Sequence, residues 1–192
     1  LLYHLAKEGW KDLVLIEKGE LTSGSTWHAA GQCPHFVGSF NAAKIHNYSN
    51  QLYQSLEKET GQPTGWHGCG SIRLALKEDD VDWFHYVKGI LDNVGSPAEF
   101  ITKEKILDLH PFLKIEDVLG GLHTPEDGYT DPTSTTNAMA IAARKAGAEI
   151  YRHNRVIEIT KLISGEWELN TEKGKIICEH VVNAAGSFGI EV

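Results

Sequence analysis

A helix that leads straight into a short, continuous apolar strand is the feature that most constrains this chain. Leu1-Leu2-Tyr3-His4-Leu5-Ala6-Lys7-Glu8-Gly9 places apolar residues at positions 1, 2, 5 and 6, a helical stripe that ends on a glycine. Leu13-Val14-Leu15-Ile16-Glu17 follows as an apolar run closed by an acid, the pattern of a parallel strand covered on both faces. Parallel strands need a crossover connection, so helix then strand predicts part of a βαβ unit and an α/β fold. An acid at the carboxyl end of such a strand is placed to accept hydrogen bonds from an adenosine ribose. Glu17, with Lys18 beside it, is therefore a candidate dinucleotide contact.

Both ends suggest a piece of a longer polypeptide. No initiator Met, no strand and no glycine fingerprint stand before the first helix, and Val181-Val182-Asn183-Ala184-Ala185-Gly186 reads as a buried strand entering a glycine turn just before the sequence stops.

Charge and composition narrow the ligand class. With 26 acidic against 18 basic residues and a formal net charge of -8, nothing favours binding to nucleic acid or an anionic membrane. No run reaches the roughly 18 apolar residues of a membrane span. The expected ligand is a small molecule. Cys33, Cys69 and Cys178 lie far apart with no C-x-x-C pair, so they read as reduced thiols of a cytoplasmic protein, or a mitochondrial-matrix one if eukaryotic. The histidines are scattered, and no metal site is expected.

Along the chain, residues 18–40 carry no sustained period and read as a functional loop. An amphipathic helix is predicted over 42–60, with Ile45, Leu52, Tyr53 and Leu56 on one side and Gly61 as its stop. A strand at 71–76 precedes a helix capped by Asp79 or Asp80 and ending at Gly95; Thr102 starts a shorter one. A strand at 119–123 runs to a turn at Asp127-Gly128, and Asp131-Pro132 opens a helix reaching Gly147. Strands are expected at 148–151, 156–159, 167–169 and 176–183.

The most informative stretch is Ser23-Gly24-Ser25-Thr26-Trp27-His28-Ala29-Ala30-Gly31. Small residues such as Gly24, Ala30 and Gly31 let the backbone approach a bulky ligand. Hydroxyls and amides at Ser23, Ser25 and Thr26 suit phosphate oxygens, and Trp27-His28 sets two large rings among them. A plain Gly/Ser turn with a packed Trp and a satisfied His is the equal alternative on these residues alone.

The run from Trp10-Lys11-Asp12 through Leu21-Thr22-Ser23-Gly24-Ser25-Thr26-Trp27-His28-Ala29-Ala30-Gly31 resembles the dimethylglycine and sarcosine dehydrogenase family, within the D-amino-acid-oxidase-like flavoproteins. The resemblance extends over nearly the whole chain. Gly68-Cys69-Gly70-Ser71-Ile72-Arg73-Leu74-Ala75 is similar to the strand entering that family's substrate domain, and Asp127-Gly128-Tyr129-Thr130-Asp131-Pro132 to the segment leading back. Asn154-Arg155-Val156 is similar to the point where a Val backbone meets adenine, and Val182-Asn183-Ala184-Ala185-Gly186 to a second flavin-contacting turn. The resemblance implies a partial FAD-binding Rossmann-like domain, residues 1–61 and 126–192, with an interleaved α+β substrate portion at 62–125.

It also implies FAD tethered through its 8α-methyl carbon to His28, with Ser23 to Thr26 against the pyrophosphate. The implied activity is oxidation of an N-methylated amino acid by hydride transfer to flavin. The resulting iminium would be hydrolysed or captured by tetrahydrofolate in a domain outside this chain. No catalytic base is assigned, since the family's carboxyl half lies beyond these residues. Rival readings are a non-covalent FAD amino-acid oxidase, a glycerol-3-phosphate dehydrogenase-like enzyme, a nicotinamide-dependent dehydrogenase, and a non-catalytic flavin-binding fragment.

Overall fold

The structure, a computed structural model, describes residues 1–190. In chain order its elements are α1 (Leu2–Lys7), β1 (Val14–Ile16), a 3-10 turn (Ser25–His28), β2 (Gln32–Cys33), α2 (Phe40–Thr60), β3 (Ser71–Ala75), α3 (Glu78–Val94) and β4 (Glu99–Ile101). They continue with α4 (Lys103–Leu109), β5 (Gly120–Thr124), β6 (Gly128–Tyr129), α5 (Pro132–Lys145), β7 (Glu149–Tyr151), β8 (Val156–Lys161), β9 (Trp167–Thr171), β10 (Gly174–Cys178) and a second 3-10 turn (Gly186–Phe188).

Local chemistry accounts for most boundaries. α2 stops where Gly61 turns left-handed at φ +68°. The Asp80 carboxylate accepts the N–H groups of Leu76 at 2.9 Å and Lys77 at 3.2 Å, fastening the start of α3. Asp131 does the same for α5, accepting the Ser134 N–H at 2.6 Å.

Two compact units divide the chain: Leu1–His28 with the chain from Met139 onward, and Ala29–Ala138. These cut the chain elsewhere than the 1–61, 62–125 and 126–192 segments expected, because α2 packs on α3 and so goes with the second unit.

In the first unit β1 and β7 pair in parallel, Val14 opposite Glu149, Leu15 opposite Ile150 and Ile16 opposite Tyr151, as a βαβ unit requires. The expected burial of β1 on both faces is not seen. Val14 is 40% exposed and Leu15 and Ile16 are half-buried, since β7 is its one strand partner among the described residues. The apolar stripe of α1 is also shallower than expected, with Tyr3 its buried residue. β8, β9 and β10 form an antiparallel sheet, with a bulge between Val156 and Glu158. The strand expected over 176–183 ends at Cys178. Beyond it the chain finds no ladder partner among the described residues, and Val182 is 62% exposed.

In the second unit β3, β5 and β4 form one antiparallel sheet, and β2 pairs with β6 in another. The core has two parts. Ala75, Phe84 and Leu122 gather Phe36, Val81 and Ala98. Ile101, Ile106 and Val118 gather Ile72, Leu74, Leu113 and Ile115. Within α2, Leu52 and Leu56 are buried as the periodicity predicts, whereas Ile45 stays exposed. No helix among the described residues is long and apolar enough to cross a membrane.

Candidate dinucleotide site

The carboxyl end of β1 is where the first unit collects its candidate residues. The Glu17 N–H donates to the Tyr151 carbonyl at 2.9 Å, and the Glu17 carbonyl accepts the Asn154 N–H at 3.0 Å. Strand pairing thus carries the segment leading into Val156 alongside Glu17. Val156 itself sits at the bulge of β8, half-buried, where ladder pairing is irregular. Lys18 Nζ lies 3.1 Å from the centroid of the Phe188 ring, which brings the Gly186–Phe188 turn to the same end of the strand. Ala184, Ala185 and Gly186 are all exposed just before that ring.

Glu17 and its neighbours set polar groups of defined chemistry side by side. Glu17 Oε1 accepts the Gly19 N–H at 2.8 Å, and the other carboxylate oxygen has no hydrogen-bond partner among the described residues. A Cβ on Gly19 would sit 3.3 Å from Ser23 Oγ and 3.7 Å from Glu17 Oε1, so a glycine here lets the hydroxyl and the carboxylate close in on the backbone where a larger residue would force a shift. Open carboxylate oxygens accept from a ribose diol, and a nearby hydroxyl and N–H groups suit phosphate oxygens. These residues fit the adenosine diphosphate half of FAD.

Ser23 is held by Glu20, whose carbonyl accepts the Ser23 N–H at 3.3 Å and its hydroxyl at 2.8 Å. The first bond of the following 3-10 turn runs from the Trp27 N–H to the Gly24 carbonyl at 3.2 Å, so the N–H groups of Gly24, Ser25 and Thr26 precede it. Ser23, Gly24, Ser25, Trp27 and His28 are exposed and Thr26 is half-buried. His28 has no hydrogen-bond partner among the described residues.

Ala30 and Gly31 fall in the second unit. Gly31 adopts φ +75°, and a Cβ there would lie 2.1 Å from the Thr130 carbonyl oxygen. What crowds Gly31 is therefore this protein's own backbone, at the point where the Thr130 N–H donates to the Gly31 carbonyl at 2.9 Å.

Three features escaped the sequence reading: Gly19 and Glu20, and a buried polar knot in the second unit. The Asp127 carboxylate accepts the His35 N–H and ring Nδ1, both at 2.7 Å, and the hydroxyls of Ser71 at 2.5 Å and Thr124 at 2.6 Å. Burial pushes the Asp127 carboxyl up, but the bonds from His35, Ser71 and Thr124 outweigh it and hold the group below the usual carboxylate range. With Asp127 charged, His35 Nδ1 must carry a proton. Its Nε2 is buried without a partner among the described residues. Burial, and then the Asp127 charge, raise the nearby Cys33 thiol. The sequence signal was slight, because His35 and Asp127 are 92 positions apart.

All 192 residues match the family described as FAD dependent oxidoreductase. The mitochondrial dimethylglycine dehydrogenase of Homo sapiens is 45% identical over 192 residues, covering all of this chain and 22% of that protein. The mitochondrial pyruvate dehydrogenase phosphatase regulatory subunit of Mus musculus is 38% identical over 190 residues, 99% of this chain and 22% of that protein. Among solved structures, L-proline dehydrogenase from P. horikoshii superposes with a TM-score of 0.90 at 26% identity, over 98% of this chain and 50% of that one. This chain therefore spans 22% of the length of the two curated relatives. With the open carboxylate at the end of β1 and the family match along its whole length, the chain belongs to the FAD-dependent oxidoreductase family.

Proposed function

We propose that this chain supplies FAD-binding structure to an enzyme that oxidises an N-methylated amino acid of the dimethylglycine or sarcosine type, and that His28 is the covalent attachment point of the flavin. The observation that carries the reading is the half-open carboxylate of Glu17 at the end of β1, with Gly19 and Ser23 close beside it and the chain running on to an exposed His28. Glu17 accepts ribose hydroxyls, with Lys18 beside it. Ser23, Gly24, Ser25 and Thr26 offer hydroxyls and N–H groups to the pyrophosphate. Val156 meets the adenine edge through its backbone, and Ala184, Ala185 and Gly186 lie along the cofactor. Ala30 and Gly31 keep the chain after His28 slender. In this assignment residues 1–61 and 126–192 serve the cofactor and 62–125 face the substrate.

When bound, the flavin supplies the two-electron acceptor for the C–H bond beside the substrate nitrogen. His28 suits attachment because an exposed imidazole with an unengaged ring nitrogen is a competent nucleophile near neutral pH. The base, the remainder of the substrate pocket and any tetrahydrofolate site lie outside residues 1–192 in this reading, and a eukaryotic protein of this kind works in the mitochondrial matrix, as the names of its mitochondrial relatives suggest. The test is acid precipitation of the full-length gene product, as wild type and His28→Ala, with an absorbance scan of the pellet and an intact mass. A yellow pellet and a flavin adduct in the wild type alone are expected. A colourless wild-type pellet without adduct removes the tether and leaves a non-covalent oxidase.

The similarity to a protein named as a regulatory subunit favours one second reading, a flavin-binding chain without turnover. Turnover of dimethylglycine or sarcosine by the full-length protein decides against it.

A further inference from the structure

We infer that Glu20 is a positioning residue for the adenosine half of the bound dinucleotide, an inference that rests on the flavin reading above. Its carboxylate accepts Arg152 Nη1 at 2.5 Å and His153 Nε2 at 2.7 Å, while its carbonyl holds the N–H and hydroxyl of Ser23. One residue thus ties together two segments, the loop that carries Ser23 and the turn that leads through Asn154 into Val156. The backbone doubles the tie: the His153 N–H donates to the Gly19 carbonyl at 3.2 Å, next to the Asn154 N–H on Glu17.

The far side of that turn is fixed as well. Lys173 Nζ donates to the Arg152 carbonyl and the Lys173 N–H to Asn154 Oδ1, both at 3.1 Å. Two residues of the clamp region occupy the left-handed region that a Cβ disfavours, His153 at φ +50° and Thr22 at φ +73°. Such conformations persist where surrounding bonds over-determine them, and Glu20 supplies bonds on both sides.

An exposed ion pair adds little to folding stability, and these side chains are 45% to 61% exposed. The consequence of the clamp is instead geometric. It holds Glu17, Gly19 and Ser23 in register with Val156 before a ligand arrives, so less ordering remains to be done on binding. A surface glutamate with no such role would be replaceable at no cost to affinity.

The test uses the full-length gene product carrying His28→Ala, so that flavin exchanges freely. Glu20→Gln, Arg152→Gln and the charge swap Glu20→Arg with Arg152→Glu are compared with that parent. The measurements are Kd for ADP and for FAD and the thermal midpoint without ligand. Glu20→Gln is expected to weaken ADP and FAD alike by about three- to tenfold and Arg152→Gln by less, with the swap recovering part of the loss and the ligand-free midpoint nearly unmoved. Unchanged Kd values, or a lowered midpoint with unchanged Kd, overturn the inference while leaving the flavin reading intact. A parent that binds neither ADP nor FAD overturns both.

Discussion

The knot around Asp127 and the loop after β1 use the same side chains, a carboxylate, a histidine and hydroxyls, to opposite ends. In the second unit His35 and Asp127 are 1% and 2% exposed, and one carboxylate accepts from a ring, a backbone N–H and two hydroxyls. In the first unit Ser23, Ser25 and His28 stand exposed, and Glu17 keeps an oxygen open. Buried polar groups that satisfy one another specify a fold, because leaving any of them unpaired is expensive. Polar groups held in place with open valences specify a ligand. The contrast separates the carboxylate that organises its unit from the one that is left half open, the one proposed to meet the cofactor.

The largest effect that tests this contrast is expected at Asp127. Asp127→Ala takes the acceptor from the buried His35 N–H and ring Nδ1 and leaves the Ser71 and Thr124 hydroxyls only each other, at 3.0 Å, and each buried group left unpaired costs about 1–3 kcal/mol. Chemical unfolding should show that loss. A change under about 1 kcal/mol would place Asp127 with the exposed groups and break the comparison.

Acid supplies the next test. The folded Asp127 carboxyl lies below its ordinary value near 3.9, so the unfolded chain takes up the proton first as pH falls. Its stabilisation is therefore complete above about pH 4 and is withdrawn as pH drops through the lower folded value. Asp127→Asn should flatten that part of the stability profile. An unchanged acid limb in the variant would assign acid sensitivity to other carboxylates.

How far the sequence reveals these two regions follows from the range of the interactions. Gly61, Thr102 and Asp131 set helix ends through bonds to residues within a few positions, and each was legible in the order of residues, whereas Asp80, read as a cap, lies inside the first turn of α3 behind Lys77 and fastens its start from there. The place of Glu17 at the end of β1 was legible because an apolar run closed by an acid marks a strand end. The knot was not: Asp127 read as a turn former and His35 as one scattered histidine, since Ser71 and His35 meet Asp127 across 56 and 92 positions. Val181 and Val182 misled in the other direction. Their apolar character reads as strand, but a strand needs a ladder partner, and the described residues supply none beyond Cys178.

The smallest expected effect is the sharpest probe of the loop. Trp27 is 71% exposed within the 3-10 turn, so little apolar area is lost when it is cut back. Trp27→Ala should leave ligand-free stability within about 0.5 kcal/mol, as for other surface substitutions away from packing. Under the proposed cofactor contact of this loop, the same variant should reduce the thermal stabilisation that FAD confers. Thermal melts with and without FAD, in the His28→Ala background where flavin exchanges, measure both quantities. A ligand-free loss above about 1 kcal/mol would instead mark Trp27 as a packed core ring, the alternative that the residues alone left open, and would shift the loop from cofactor contact to turn.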